Sequence, residues 1–188
     1  HISSAIASGY KYMLIVTSDE AKARKMCDDA SFFNKEAIYY PAKDAIFYSA
    51  DVHGNQITGE RLRCISRIIN HSSTGEGVLT VVTTMDGIAD RLIPVERFKE
   101  AVITLDYSSE IEPEKLAKKL VAMGFVRTGM VEDKGQFAIR GGIIDIYPIN
   151  SDTPIRIEFF DSEIESIREF AIDSQRSLRN IAKCEILP

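Results

Sequence analysis

Residues 11–17, KYMLIVT, read as a buried strand. Ser18 and Asp19 follow as N-cap residues, and EAKARKMCDDA continues as a helix. EAIYYP predicts a second strand, stopped by Pro41. RLRCISRIIN sets Leu62, Ile65, Ile68 and Ile69 on one helical face. GVLTVVTTM is a strand of the doubly buried kind, and RFKEAVITL leads toward another. Short apolar strands alternating with helices predict a parallel sheet and an α/β domain.

The pattern changes near Asp106. YSSEIEPEKLAKKLVAMGF predicts a helix with Pro113 in its first turn and Gly124 just past its end. Closely spaced strands follow at 136–140, 143–148, 155–160 and about 163–170. Short turns join them at Gly141-Gly142, Asn150-Ser151-Asp152 and Asp161-Ser162. This is a helix with an antiparallel meander, so a domain boundary is placed near residue 105.

The meander's register follows from matching apolar to apolar positions, because a one-residue slip exchanges the faces of a strand. A two-residue turn at 141–142 sets Arg140 opposite Ile143 and Ile139 opposite Ile144. Ile144 is then expected against Phe159, and Ile146 against Ile157. One face carries Phe137, Ile139, Ile144, Ile146, Ile155, Ile157 and Phe159, available to pack on the helix 113–123. The other carries Ala138, Arg140, Ile143, Asp145, Tyr147, Arg156, Glu158 and Phe160. Phe160 is anomalous among these charges. With Ile143, Tyr147, Arg140 and Arg156 around it, on a face that no remaining helix covers, it reads as a protein-docking patch. An isolated exposed apolar residue among solubilising arginines, or a residue packed under more chain, is the alternative.

Composition changes this picture little. The 188 residues are 45% hydrophobic and 27% charged, ordinary for a globular protein. A net charge of −5 argues against a stand-alone nucleic-acid binder. Cys27, Cys64 and Cys184 have no metal-ligand spacing and read as buried thiols of a reduced, cytoplasmic protein. The run Tyr12–Val16 is too short for a membrane span or signal peptide. The chain starts at His1, not Met, and is taken as a segment of a longer protein.

The enzymatic motifs are near misses. GNQITGER (54–61) approaches the phosphate-binding loop, but Glu60 and Arg61 stand where lysine and a hydroxyl residue are required. It is read as a glycine-rich turn before a helix starting near Arg61. TSDEAK is read as a helix cap with acids at the positive dipole end rather than as a magnesium site. His53 and His71 have no partners at metal or triad spacing and read as surface residues. No catalytic, cofactor-binding or metal site is expected in the segment.

Residues 135–178, GQFAIRGGIIDIYPINSDTPIRIEFFDSEIESIREFAIDSQRSL, carry an Arg-Gly turn, an Ile-Asp-Ile-Tyr-Pro strand, an Arg-x-Glu-Phe-Phe strand, Asp-x-Glu-Ile and Asp-Ser-Gln-Arg. At this spacing the chain resembles the N-terminal region of bacterial transcription-repair coupling factors, which are related here to the excision-repair protein UvrB. The first 105 residues fit more loosely. The resemblance implies a degenerate RecA-like α/β domain of the phosphate-loop NTPase type, without a working nucleotide site, over 1–105. It implies an inserted, smaller α+β domain with an antiparallel sheet over 106–182 that binds UvrA, and a strand at 183–188 returning to the first domain. The family's UvrA-binding arginines and phenylalanine fall on Arg140, Arg156 and Phe160, with Ile143, Tyr147 and Glu158 in support. The parent is implied to be an ATP-dependent DNA translocase, using ATP and magnesium in its motor domains and acting on stalled RNA polymerase and double-stranded DNA. The alternative is a UvrB-like fragment that binds DNA as well as UvrA; a third reading is an ATPase in its own right. Only 18 residues separate Pro41 from Glu60, too few for UvrB's DNA-inserting hairpin, and Ala138 stands where UvrB tends to carry another arginine.

Overall fold

A computed structural model describes residues 10–43, 52–74 and 77–188 of the chain. The amino-terminal His1 and the stretch 44–51, on which the hairpin-length expectation partly rests, lie outside the described residues. The chain divides into two compact units, His1–Val95 and Glu96–Pro188. The change of character near Asp106 therefore lies inside the second unit.

In the first unit, β1 (Tyr12–Thr17), β2 (Ala37–Tyr39) and β3 (Leu79–Thr84) form a parallel sheet in the order β1-β3-β2. Helix α1 (Glu20–Phe33) packs Ala23 and Cys27 against Val82. Helix α2 (Val52–Thr74) packs Cys64, Ile65 and Ile68 against Ile38, Leu79 and Val81. Val82 and its neighbour Val81 point to opposite faces, so the helices pack on opposite sides of the sheet; at its edge, Tyr12, Leu14 and Val16 of β1 stay exposed, so this strand is not the buried one expected. Asp19 caps α1 as its sequence requires: Oδ1 accepts the amide of Lys22 at 2.9 Å. The carboxyl is held at about 2, first by the Lys22 side chain and then by that amide. Short helices α3 (Met85–Ala89) and α4 (Val95–Ala101) follow β3.

The expected glycine-rich turn at 54–61 is instead helix, because α2 begins at Val52. Helical glycines cost about 1 kcal/mol each, but packing outweighs this. Cys64 and Ile69 of α2 are buried and Ile65 and Ile68 partly so, and Arg61, only 5% exposed, ties the helix to the end of β2. Its Nη1 donates to the Pro41 carbonyl at 2.6 Å, its Nη2 reaches Asp90 at 3.0 Å, and its guanidinium lies over Tyr40. His71 is buried in α2, edge-on to Tyr12, and is not the surface residue expected.

The second unit opens within α4 and continues with β4 (Ile103–Asp106), then α5 (Pro113–Ala122) with Pro113 at its first turn and Gly124 in the left-handed region at φ 93°. Six strands form its main sheet: β5 (Val126–Arg127), β6 (Gln136–Arg140), β7 (Ile143–Ile146), β8 (Ile155–Phe160), β9 (Glu163–Phe170) and β10 (Ser177–Asn180). They lie in sequence order and antiparallel, except for the parallel pair β5–β6. The closing strand β11 (Lys183–Ile186) pairs antiparallel with β4. Leu116 and Leu120 of α5 meet Phe137, Ile144, Ile146, Ile155, Ile157 and Phe159, with Ile139 at the margin. That is the apolar face written in the sequence.

The register differs by two residues from the one expected from apolar matching. Ile144 faces Ile157, and Ile146 faces Ile155. A two-residue shift keeps every side chain on its face, so apolar matching cannot detect it. Charge decides it: the expected register would set Asp145 opposite Glu158, whereas the observed one sets Asp145 opposite Arg156.

Candidate protein-docking face

The outer face of the six-stranded sheet is organised in rows. Asp145, Arg156 and Arg168 stand side by side on β7, β8 and β9, and the next row holds Ile143, Glu158 and Ser166. A bulge between Glu158 and Phe159 then shifts the ladder, and Phe160 pairs with Glu163 beside the Asp161-Ser162 turn. Phe159 donates its amide to the Gly142 carbonyl at 2.7 Å. Gly141 takes a φ of 61°, and a side chain on Gly142 would stand 2.8 Å from the Phe159 carbonyl oxygen. The Arg-Gly-Gly turn thus lets β8 run past the end of β7, and Phe160 projects there at 70% exposure.

Asp145 is the centre of the charged network, at 1% exposure. Arg156 grips it with both arms of its fork, Nε to Oδ1 at 2.6 Å and Nη2 to Oδ2 at 2.9 Å. Arg140 donates Nη2 to the same Oδ2 from β6. Two guanidiniums on one carboxylate leave the cluster with a positive excess. The Arg156 guanidinium also lies over the Phe170 ring, 4.6 Å from its centroid. Its pKa is raised above the ordinary value, mainly by the bond to Asp145, with burial opposing. Glu158 accepts from Ser166 at 2.9 Å and pairs with Arg168.

The face is less open than its sequence implies. Val131, Ala138 and Phe170 are buried in a second small apolar cluster, with Tyr147 packed against it. Tyr147 lies at the opposite end of the sheet from Phe160, donates its hydroxyl to the Asp152 carbonyl and has Lys134 over its ring. It is not a neighbour of Phe160 but a cover over the far end. Arg156 stands four residues from Phe160 along the strand, about 13 Å. Its side chain is only 15% exposed, against 47% for Arg140. The open end therefore comprises Phe160, Ile143 and Arg140, with Arg156 half sunk behind them.

Residues 103–188, the span of this sheet with β4 and β11, match the family model of the UvrB interaction domain. The chain is 37% identical over 180 residues to the transcription-repair-coupling factor of Bacillus subtilis (strain 168), covering 95% of the chain and 15% of that relative. Against the corresponding proteins of Staphylococcus epidermidis (strain ATCC 12228) and Staphylococcus aureus (strain NCTC 8325), it is 35% and 34% identical over 187 residues, 98% of the chain and 16% of each relative. The second half of the chain belongs to the UvrB interaction domain family. The chain as a whole is homologous to transcription-repair-coupling factors and spans about 15% of their length.

Within the UvrB interaction domain, the motif residues Arg140, Arg156 and Phe160 share one face, as their alternation requires. The residues that sequence reasoning passed over as site members are Asp145, Arg168, Phe170 and Gln175. Asp145 left a readable trace, a lone carboxylate inside the apolar strand IIDI. Gln175 left none, because its part depends on a turn conformation. Among the described residues, no group of three His, Cys, Asp or Glu is placed to hold a metal, and no helix is long and apolar enough to cross a membrane.

Proposed function

We propose that the chain is a protein-docking segment of a transcription-repair coupling factor, and that the outer face of its UvrB interaction domain recruits the excision-repair ATPase UvrA. The observation that carries this reading is Phe160, 70% exposed at the end of the six-stranded sheet, in front of two arginines held on one buried carboxylate. An aromatic anchor with a pre-organised cationic rim is the composition of an interface hot spot. Its counterpart is a surface with an apolar pocket beside carboxylates. Ile143 and Glu158 lie in support; Tyr147 acts indirectly by covering the far end.

In this reading the segment is not itself catalytic and holds no cofactor. Residues 1–105 are a degenerate RecA-like domain, 106–182 the UvrA-binding insertion and 183–188 the return strand. The parent is a cytoplasmic, ATP-driven DNA translocase that brings UvrA to stalled RNA polymerase. The loop after β1, where a phosphate cradle would open α1, carries the Asp19 carboxylate on the Lys22 amide of the helix. That charge disfavours phosphate.

The test is calorimetric titration of UvrA into the 188-residue chain, with magnesium-ATP titrated in parallel. Binding of UvrA that is weakened about thirtyfold in Phe160→Ala, and no heat from magnesium-ATP, is the expected result. UvrA binding that is indifferent to Phe160 refutes the docking face. Micromolar nucleotide binding refutes the non-catalytic assignment.

A further inference from the structure

The turn 171–176, which contains the Asp-Ser-Gln-Arg motif, closes over the outer face from the β9–β10 side. Gln175 sits in the left-handed region at φ 57°, unusual for a residue with a side chain. Its amide nitrogen donates to the Ala171 carbonyl, and its side-chain Nε2 donates to the Ile172 carbonyl at 2.8 Å. The residue is thereby locked from both ends. Its two remaining polar atoms face Arg156: the backbone carbonyl accepts from Nη1 at 3.3 Å, and Oε1 accepts from Nη2 at 3.4 Å.

The Arg156 guanidinium is therefore bounded on three sides. Asp145 takes one edge, Gln175 takes the other, and Phe170 supports one flat face. Of the five N–H groups of an arginine fork, these contacts use four and leave one Nη1 hydrogen. An arginine so restrained meets a partner with little rotamer entropy left to lose. Asp145 holds the Nε edge alone, and the Gln175 contacts hold the Nη edge that would otherwise be free to move.

We infer that Gln175 is a positioning residue for partner recognition: it fixes the Arg156 guanidinium from the side opposite Asp145, so that the turn 171–176 presets the docking face. This rests on the docking reading above. It assigns the Asp-Ser-Gln-Arg turn a part in recognition, although Gln175 need not touch the partner.

Two measurements test it, one independent of any partner. Glycine tolerates a φ of 57° without strain, so Gln175→Gly removes the side chain and keeps the turn. In nitrogen-15 spectra of the chain alone, the Nη signals of Arg156 are expected to be separately resolved. They should coalesce in Gln175→Gly while the melting temperature stays within about 2 °C. In UvrA titrations, Gln175→Gly is expected to weaken binding about fivefold, the worth of one ordinary hydrogen bond. Gln175→Glu, which keeps the acceptor toward Nη2 but loses the Nε2 donor to Ile172, should recover part of that loss. In an Arg156→Lys background, which keeps Asp145 paired but lacks the fork, Gln175→Gly should cost nothing further. In a Phe160→Ala background it should cost the full factor.

Unchanged Nη signals, or a fivefold loss that persists in Arg156→Lys, overturns the positioning role. If Gln175→Gly binds UvrA like the parent while Phe160→Ala does not, the positioning role falls and the docking face stands. If neither variant changes binding, the docking reading falls, and this inference falls with it.

Discussion

Adjacent phenylalanines provide the most direct test of the face assignment. Phe159 and Phe160 differ by one position on β8 and by 8% against 70% exposure. Phe159 belongs to the cluster formed with Leu116, Leu120 and Ile157. Truncating such a side chain to alanine costs roughly 3–5 kcal/mol. Phe160 has 30% of its surface covered, the complement of its 70% exposure. For a ring of about 200 Å² that is about 60 Å², or at most about 1.5 kcal/mol at 25 cal/mol/Å². With a urea slope of about 2 kcal/mol/M, Phe159→Ala should lower the midpoint by about 1.5–2.5 M and Phe160→Ala by less than about 1 M. In UvrA titrations the order should reverse. Phe160→Ala should lose about thirtyfold in affinity, near 2 kcal/mol for a central anchor. Phe159→Ala should lose binding only in proportion to its unfolded fraction. If Phe160→Ala lowers the urea midpoint as far as Phe159→Ala, the outer face is a covered core and the reasoning fails.

The two arginines should also separate. Arg156→Ala leaves the buried Asp145 with Arg140 alone and should cost about 2–3 kcal/mol in urea melts. Arg140→Ala, at an exposed position, should cost less than about 1 kcal/mol; equal costs would refute the half-sunk placement of Arg156. The Asp19 cap has its pKa depressed from 3.8 to about 2, so its ionic contribution is complete above about pH 4 and is lost as pH falls through about 2. The melting-temperature gap between the parent chain and Asp19→Asn should therefore be constant near neutrality and close over that acid range; a gap that widens there refutes it. Burial pushes Cys64 up to about 12 and Cys184 up to about 11, and it raises Cys27 as well. With so little thiolate present, Ellman's reagent at about pH 8 should label none of the three within minutes until guanidinium is added. Rapid labelling of the native chain would contradict the burial.

What was legible in the sequence follows from periodicity. Strands 136–140 and 155–160 and the helix starting at Pro113 could be placed within a residue or two, because alternation and the helix-start proline act locally. The face of each candidate residue is legible for the same reason, since a two-residue register error preserves faces. Position along the face was not. Tyr147 was grouped with Phe160 because parity says nothing about distance along a strand, and the Asp145–Arg156 pair that fixes the register was not used. The helix across 54–61 was missed because local glycine preference was weighed without the Arg61 anchor, which is formed with Pro41 and Asp90, far away in sequence.

The pairing of β4 with β11 has a mechanical consequence. Ile103 lies opposite Ile186 and Asp106 opposite Lys183, so the strand that enters the sheet domain and the strand that leaves it run side by side. A load pulling residues 102 and 187 apart would meet the Ile103–Ile186 pair first and open the ladder one pair at a time, like a zipper rather than in shear. The rungs of such a ladder yield in succession instead of sharing the force. Because Ile103, Leu105, Cys184 and Ile186 share one apolar cluster with α5 and the six-stranded sheet, each pair that opened would also uncover part of that core.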